Sequence, residues 1–121
     1  MAHFPVDEVE ALLILKAQAQ SDISYGEVFA WFGLPFQRWQ VGGLCAVLGE
    51  VDRLQRGRGR PDLAVLVVRQ SDRIPGQGWW LAQEPGTWSG PIEGPEARQF
   101  VETLKRRAYD YWREDAPVVA P

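Results

Sequence analysis

An α+β fold, a winged helix-turn-helix with a two-stranded wing and a long C-terminal helix, is predicted by three stretches of this 121-residue sequence. Residues 24–43, SYGEVFAWFGLPFQRWQVGG, punctuate two helices with a tight joint. Residues 63–81 run from an apolar β-preferring segment through a turn into a short aromatic segment. Residues 95–113 carry an uninterrupted helical repeat. The length suits one domain spanning 1–121, able to bury a core without staples, with residues 1–4 and 116–121 expected as loose termini.

Each element has a local cause. Over residues 5–19, Val6, Val9, Leu12 and Leu13 recur at helical spacing, and Asp7 and Glu8 sit where the helix dipole favours acids. Ser24 and Glu27 form a capping box, in which each side chain satisfies a backbone N–H left free at a helix start. Gly33 ends that helix through the left-handed conformation that glycine adopts without penalty. The helix so bounded is apolar on nearly every side (Tyr25, Val28, Phe29, Trp31, Phe32), which implies burial against two neighbours. Pro35, with no N–H to leave unsatisfied, opens the next helix, expected over residues 35–54. Two helices joined by a few residues with glycine at the joint are the layout of a helix-turn-helix.

Residues 53–60, RLQRGRGR, hold Arg53, Arg56, Arg58 and Arg60 with no acid between them, and read as a flexible basic loop. LAVLVV at 63–68 reads as a strand buried on both faces, and 79–81 as its returning partner after a turn at 71–78. Residues 84–94, with three glycines and two prolines, predict an irregular crossing. On the final helix, Ala97, Phe100, Val101, Leu104, Ala108, Tyr111 and Trp112 form the inner face, and Lys105, Arg106 and Arg107 read as solvated.

Composition narrows the function. A content of 45% hydrophobic and 24% charged residues is ordinary for a globular protein, and a net charge of −3 opposes a wholly basic surface without excluding a local patch. One cysteine, Cys45, excludes an internal disulfide framework and fits a reducing, cytoplasmic setting. No apolar run approaches the ~20 residues of a membrane span. One histidine and one cysteine make neither a metal cluster nor a Cys/His pair, so no metal or cofactor is expected.

Ile23-Ser24-Tyr25-Gly26-Glu27, Gly33, Pro35 and Val41-Gly42-Gly43, followed by Val67-Val68, Ser71-Asp72 and Gly76-x-Gly78-Trp79, resemble the DNA-binding half of the O6-alkylguanine-DNA alkyltransferases and their non-catalytic alkyltransferase-like relatives. The resemblance covers about half of the chain. It implies a winged-helix domain binding double-stranded DNA, with Tyr25 at the position that presses on a phosphate and Trp39 at the position of an arginine that enters the base stack. Where that family has Pro-Cys-His-Arg, this chain has Leu63-Ala64-Val65-Leu66. Alkyl transfer needs a thiolate made by an adjacent base, and both atoms are missing.

The leading expectation is therefore a non-catalytic binder of double-stranded DNA. Arg38 and Trp39 would insert, and Gly42 and Gly43 would allow close approach of a backbone, either of nucleic acid or of a packing helix. Tyr25, Arg53, Arg56, Arg58 and Arg60 would hold phosphates. Trp79 and Trp80, one of which faces outward if they lie on a strand, would stack bases or contact a protein. The alternative is a protein-interaction module, an inhibitor or effector accessory, on the same frame. A third reading, a small hydrolase or toxin, rests only on the presence of 16 carboxylates.

Overall fold

The computed structural model describes residues 4–115. Five helices and one very small sheet alternate along the chain: α1 (Val6–Gln18), β1 (Ile23–Ser24), α2 (Tyr25–Trp31), α3 (Val41–Gly57), β2 (Val67–Val68), α4 (Gln77–Leu81) and α5 (Pro95–Asp115). The class is α+β. Helix α1 packs on α3 and α5, and the apolar segment 63–68, buried throughout, runs against all three. Val9, Leu12, Leu13 and Ala17 supply α1's face, and Leu44, Leu48 and Val51 supply α3's. On α5 the buried positions are Ala97, Val101, Lys105, Ala108 and Trp112, spaced by three and four.

The punctuation of the central stretch behaves as its residues dictate. Ser24 accepts from the Glu27 N–H at 3.1 Å while Glu27 accepts from the Ser24 N–H at 2.8 Å. Gly33 adopts φ +71° and closes α2, with the Leu34 N–H donating to the Phe29 carbonyl at 2.9 Å. Helix α3 ends in the same way: Gly59 adopts φ +71°, and the Arg60 N–H donates to the Gln55 carbonyl at 2.8 Å. This closure corrects the expected flexible basic loop. Arg53 and Arg56 are residues of α3, because its helix runs to Gly57 before glycine geometry stops it.

Other expectations change for equally local reasons. The segment after Pro35 is extended at Gln37 and forms a 3-10 turn over Arg38–Gln40, so α3 starts at Val41, not at Pro35. In LAVLVV only Val67 and Val68 are strand, paired in parallel with Ile23 and Ser24, and Ala64–Leu66 is a 3-10 turn. The returning strand of the wing is absent: residues 79–81 lie on α4, and the sheet among the described residues is parallel, not a hairpin. Strand geometry would force Trp79 or Trp80 outward, whereas neighbours ~100° apart on a helix both reach the core. There they meet Phe100, on which Trp88 stacks at 4.6 Å.

Three burial expectations are also corrected. Trp31 is 58% exposed, since α2 has a core on one side only, formed by Val28 and Phe29. Lys105 is buried, its Nζ donating to Asp22 Oδ2 at 2.8 Å and to the Arg73 carbonyl at 3.1 Å, which ties α5 to the loops before β1 and after β2. Phe4, assigned to a loose leader, is a core residue packed edge-on against Phe29 at 5.0 Å and Phe32 at 5.8 Å. His3 and the tail 116–121 lie outside the described residues. Phe4→Ala is expected to lower stability by about 3 kcal/mol, the cost of emptying a buried phenyl site, read as a shifted urea midpoint. A change under about 0.5 kcal/mol would restore the loose-leader reading.

Candidate functional site

Helix α3 has two unlike faces. Its inner positions, Leu44, Leu48, Val51, Asp52 and Gln55, are buried. Its outer positions begin Gly42, Gly43, Ala46, Gly49 and continue to Arg53. A Cβ built on Gly42, Gly43 or Gly49 meets nothing within 4 Å, so no helix of this chain packs there. The backbone is bare to solvent, and no side chain caps the helix start at Gln40.

Arg38 and Trp39 sit on the 3-10 turn just before this face, not on the helix itself. Trp39 is 77% exposed, the most of any large apolar residue among the described residues, and its indole N–H donates to Gln37 Oε1 at 3.0 Å. Arg38 is exposed and makes no ion pair with any described residue.

The four arginines do not form the single uncompensated patch the sequence suggested. Arg53 pairs with Glu50 one turn back, and Arg56 grips Asp62 with two bonds of 2.8 and 2.7 Å. Arg58 reaches Glu10 of α1 at 3.0 Å, and the Arg60 guanidinium lies 5.2 Å from the Trp112 ring centroid on α5. Arg58 and Arg60 thus serve the α1 and α5 side. Arg53 and Arg56 remain on α3, each with a carboxylate of its own.

Tyr25 and the tryptophan pair also move. The Tyr25 hydroxyl accepts from the Gly76 N–H at 2.9 Å, and burial raises its pKa. Trp79 and Trp80 are 9% and 8% exposed, with the Trp80 indole N–H donating to the Pro75 carbonyl at 3.0 Å, so neither is a stacking platform.

Sequence reasoning missed a cavity of about 120 Å³ beside α3, lined by Tyr25, Cys45, Leu48, Gly49, Asp52 and Trp79 among others. Asp52 is its distinctive member. Oδ1 accepts from the Leu63 N–H at 2.8 Å and the Ala64 N–H at 2.9 Å, capping the 3-10 turn from outside it. Burial, and then the neighbouring Asp62 carboxylate, push its pKa up to about 6 against those two bonds. Burial likewise raises the Cys45 thiol. The signal was present in the sequence: an aspartate at apolar-stripe spacing, four residues after Leu48. Among the described residues no three His, Cys, Asp or Glu side chains gather as a metal site, and no helix is long and apolar enough to cross a membrane.

The chain matches no family model, and comparison with curated proteins and with solved structures finds no match either.

The raised Asp52 pKa has a definite sign in stability. Between its ordinary value of 3.8 and about 6, the folded state holds a proton that the unfolded state has lost, so this group's contribution falls as pH rises through that window. Asp52→Asn keeps an acceptor for Leu63 and Ala64 and removes the charge. Relative to the native chain it is expected to gain stability from pH 4 to pH 7 by at most about 3 kcal/mol, read from urea midpoints across that range. A pH-independent difference would rule this account out.

Proposed function

We propose that the protein is a non-catalytic binder of duplex DNA, on a helix-turn-helix frame in which α2 and α3 correspond to the paired helices and α4 occupies the place of a wing. The observation that carries this reading is the outer face of α3, where Gly42, Gly43, Ala46 and Gly49 leave the backbone uncovered next to a projecting Trp39. A helix face that carries nothing larger than a methyl from Gly42 to Gly49 can approach a groove wall closely, and an exposed indole at its start can wedge between base steps. The N-terminal end of α3 carries no side-chain cap, and although the Val41 N–H is taken by the Arg38 carbonyl, the helix dipole there favours a phosphate. The resemblance of residues 23–43 to the alkyltransferase-like proteins points the same way.

Electrostatics moderates the proposal. Arg38, Arg53 and Arg56 are the cations on this side, and two of them hold carboxylates. An exposed ion pair is worth only about 0–1 kcal/mol, so a phosphate can displace Glu50 from Arg53 at small cost. The resulting salt dependence is shallow for a DNA binder.

A second reading, a protein-interaction module, is supported by the exposure of Trp31, Phe36 and Trp39 at 58%, 52% and 77% along the connection from α2 to α3. Aromatic anchors of this kind are enriched in protein interfaces.

Titration of a labelled duplex separates the two. With two or three phosphate contacts, affinity is expected to fall roughly 10- to 40-fold between about 50 and 200 mM salt. Trp39→Ala should weaken binding by about tenfold or more. Gly42→Ala and Gly43→Ala should each weaken binding while raising stability by roughly 0.5–1 kcal/mol, because the added methyl meets nothing in the chain but obstructs approach. Equal affinity at both salts, or no binding at either, discards the DNA reading and leaves the protein-partner one.

A further inference from the structure

We propose that the cavity beside α3 is a binding site for a small planar cation of the amidine class, held by Asp52. This goes beyond the duplex reading and does not depend on it. At about 120 Å³, against roughly 150 Å³ for a cavity that encloses benzene, this partly open cavity seats the amidinium end of a flat ligand and leaves the rest of a ring at its mouth. Its walls suit a flat ligand, with the Trp79 indole, Leu48, Ala64 and Ala82 providing apolar surface. Gly78 leaves space on this wall, since a Cβ there would lie 3.5 Å from Cys45 Sγ.

The polar groups select the ligand's chemistry. Asp52 is 93% buried, being 7% exposed, and only Oδ1 is occupied; Oδ2 accepts no hydrogen bond from any described residue. Arg56 lines the same cavity but directs both of its bonds to Asp62, so it does not close on Asp52. The unoccupied Oδ2 is accessible and not sealed off, so a ligand bringing N–H donors and positive charge can reach it, and the apolar walls shield that pair from bulk solvent. An anion meets the opposite field. A metal ion would find a single carboxylate here, too few ligands.

The test is an amide NMR titration of the whole chain, without nucleic acid, at pH 7.5, using benzamidinium as the probe and benzoate as the same-sized anion. Benzamidinium is expected to shift the Leu63 and Ala64 amides saturably, together with those of Gly49 and Gly78, and benzoate to leave them in place. Asp52→Asn should weaken benzamidinium binding at least about tenfold, the loss of a charge-assisted hydrogen bond. Gly78→Phe retains Asp52 and directs its side chain to the cavity wall, where a Cβ would stand 3.5 Å from Cys45 Sγ, and should abolish binding. Equal binding of benzoate, undiminished affinity in Asp52→Asn, or shifts confined to exposed carboxylates overturns the proposal. Should Asp52→Asn fail to fold, retained binding in Gly78→Phe overturns it alone.

Discussion

Two backbone amides, those of Leu63 and Ala64, enter the core, and one carboxylate oxygen of Asp52 satisfies both. Much of the architecture follows from that pair of bonds. The apolar segment 63–68 has the composition of a strand and would extend if its amides had a neighbouring strand to bond. Held by α3 instead, its first residues curl into a 3-10 turn, and only Val67 and Val68 are left to pair with β1. The burial this arrangement imposes, with Asp62 nearby, raises the protonation threshold of Asp52 to about 6. Such a group stabilises a local geometry while lowering overall stability at neutral pH, the kind of conflict that marks functional regions.

How much of this was legible in the sequence depended on whether the cause was local. Helix α1, the capping box at Ser24, the stop at Gly33 and the long α5 were readable because each rests on residues within a turn of one another. The α2–α3 corner was readable only at its first end, since Gly33 stops α2 as expected but α3 starts at Val41 and not at Pro35. The wing was misread, since a hairpin and a short helix make opposite demands on Trp79 and Trp80 only once the Phe100 and Trp88 surfaces exist. The basic loop was misread because α3 runs on to Gly57, and because the partners of Arg58 and Arg60 come from elsewhere: Glu10 lies 48 residues before Arg58, and Trp112 is on α5. At the candidate site, Trp39 and the glycine pair were identified in advance and stand exposed. Asp52 was overlooked although its position on the buried stripe was visible, because an isolated acid in an apolar pattern was not asked what it would bond.

The two candidate features divide α3 between them. Its outer face offers bare backbone and an aromatic projection, which suit a large surface approaching from solvent. Its flank encloses a small concavity with one open acceptor oxygen, which suits a single compact molecule. Cys45, Leu48 and Gly49 stand between the two, so a change at Gly49 touches both, whereas Gly42 and Trp39 belong to the outer face alone. Neither feature requires catalysis.

Ser24 is the last residue of β1, pairs with Val68, and is also the cap of α2, with Tyr25 directly after it reaching Gly76. Strand and helix therefore share one residue as their joint, with no spacer to absorb error. A slip of a single residue in so short a ladder would withdraw the serine hydroxyl from α2 and swing the tyrosine off its partner, so alignment of the sheet and shape of the cavity wall are inherited together.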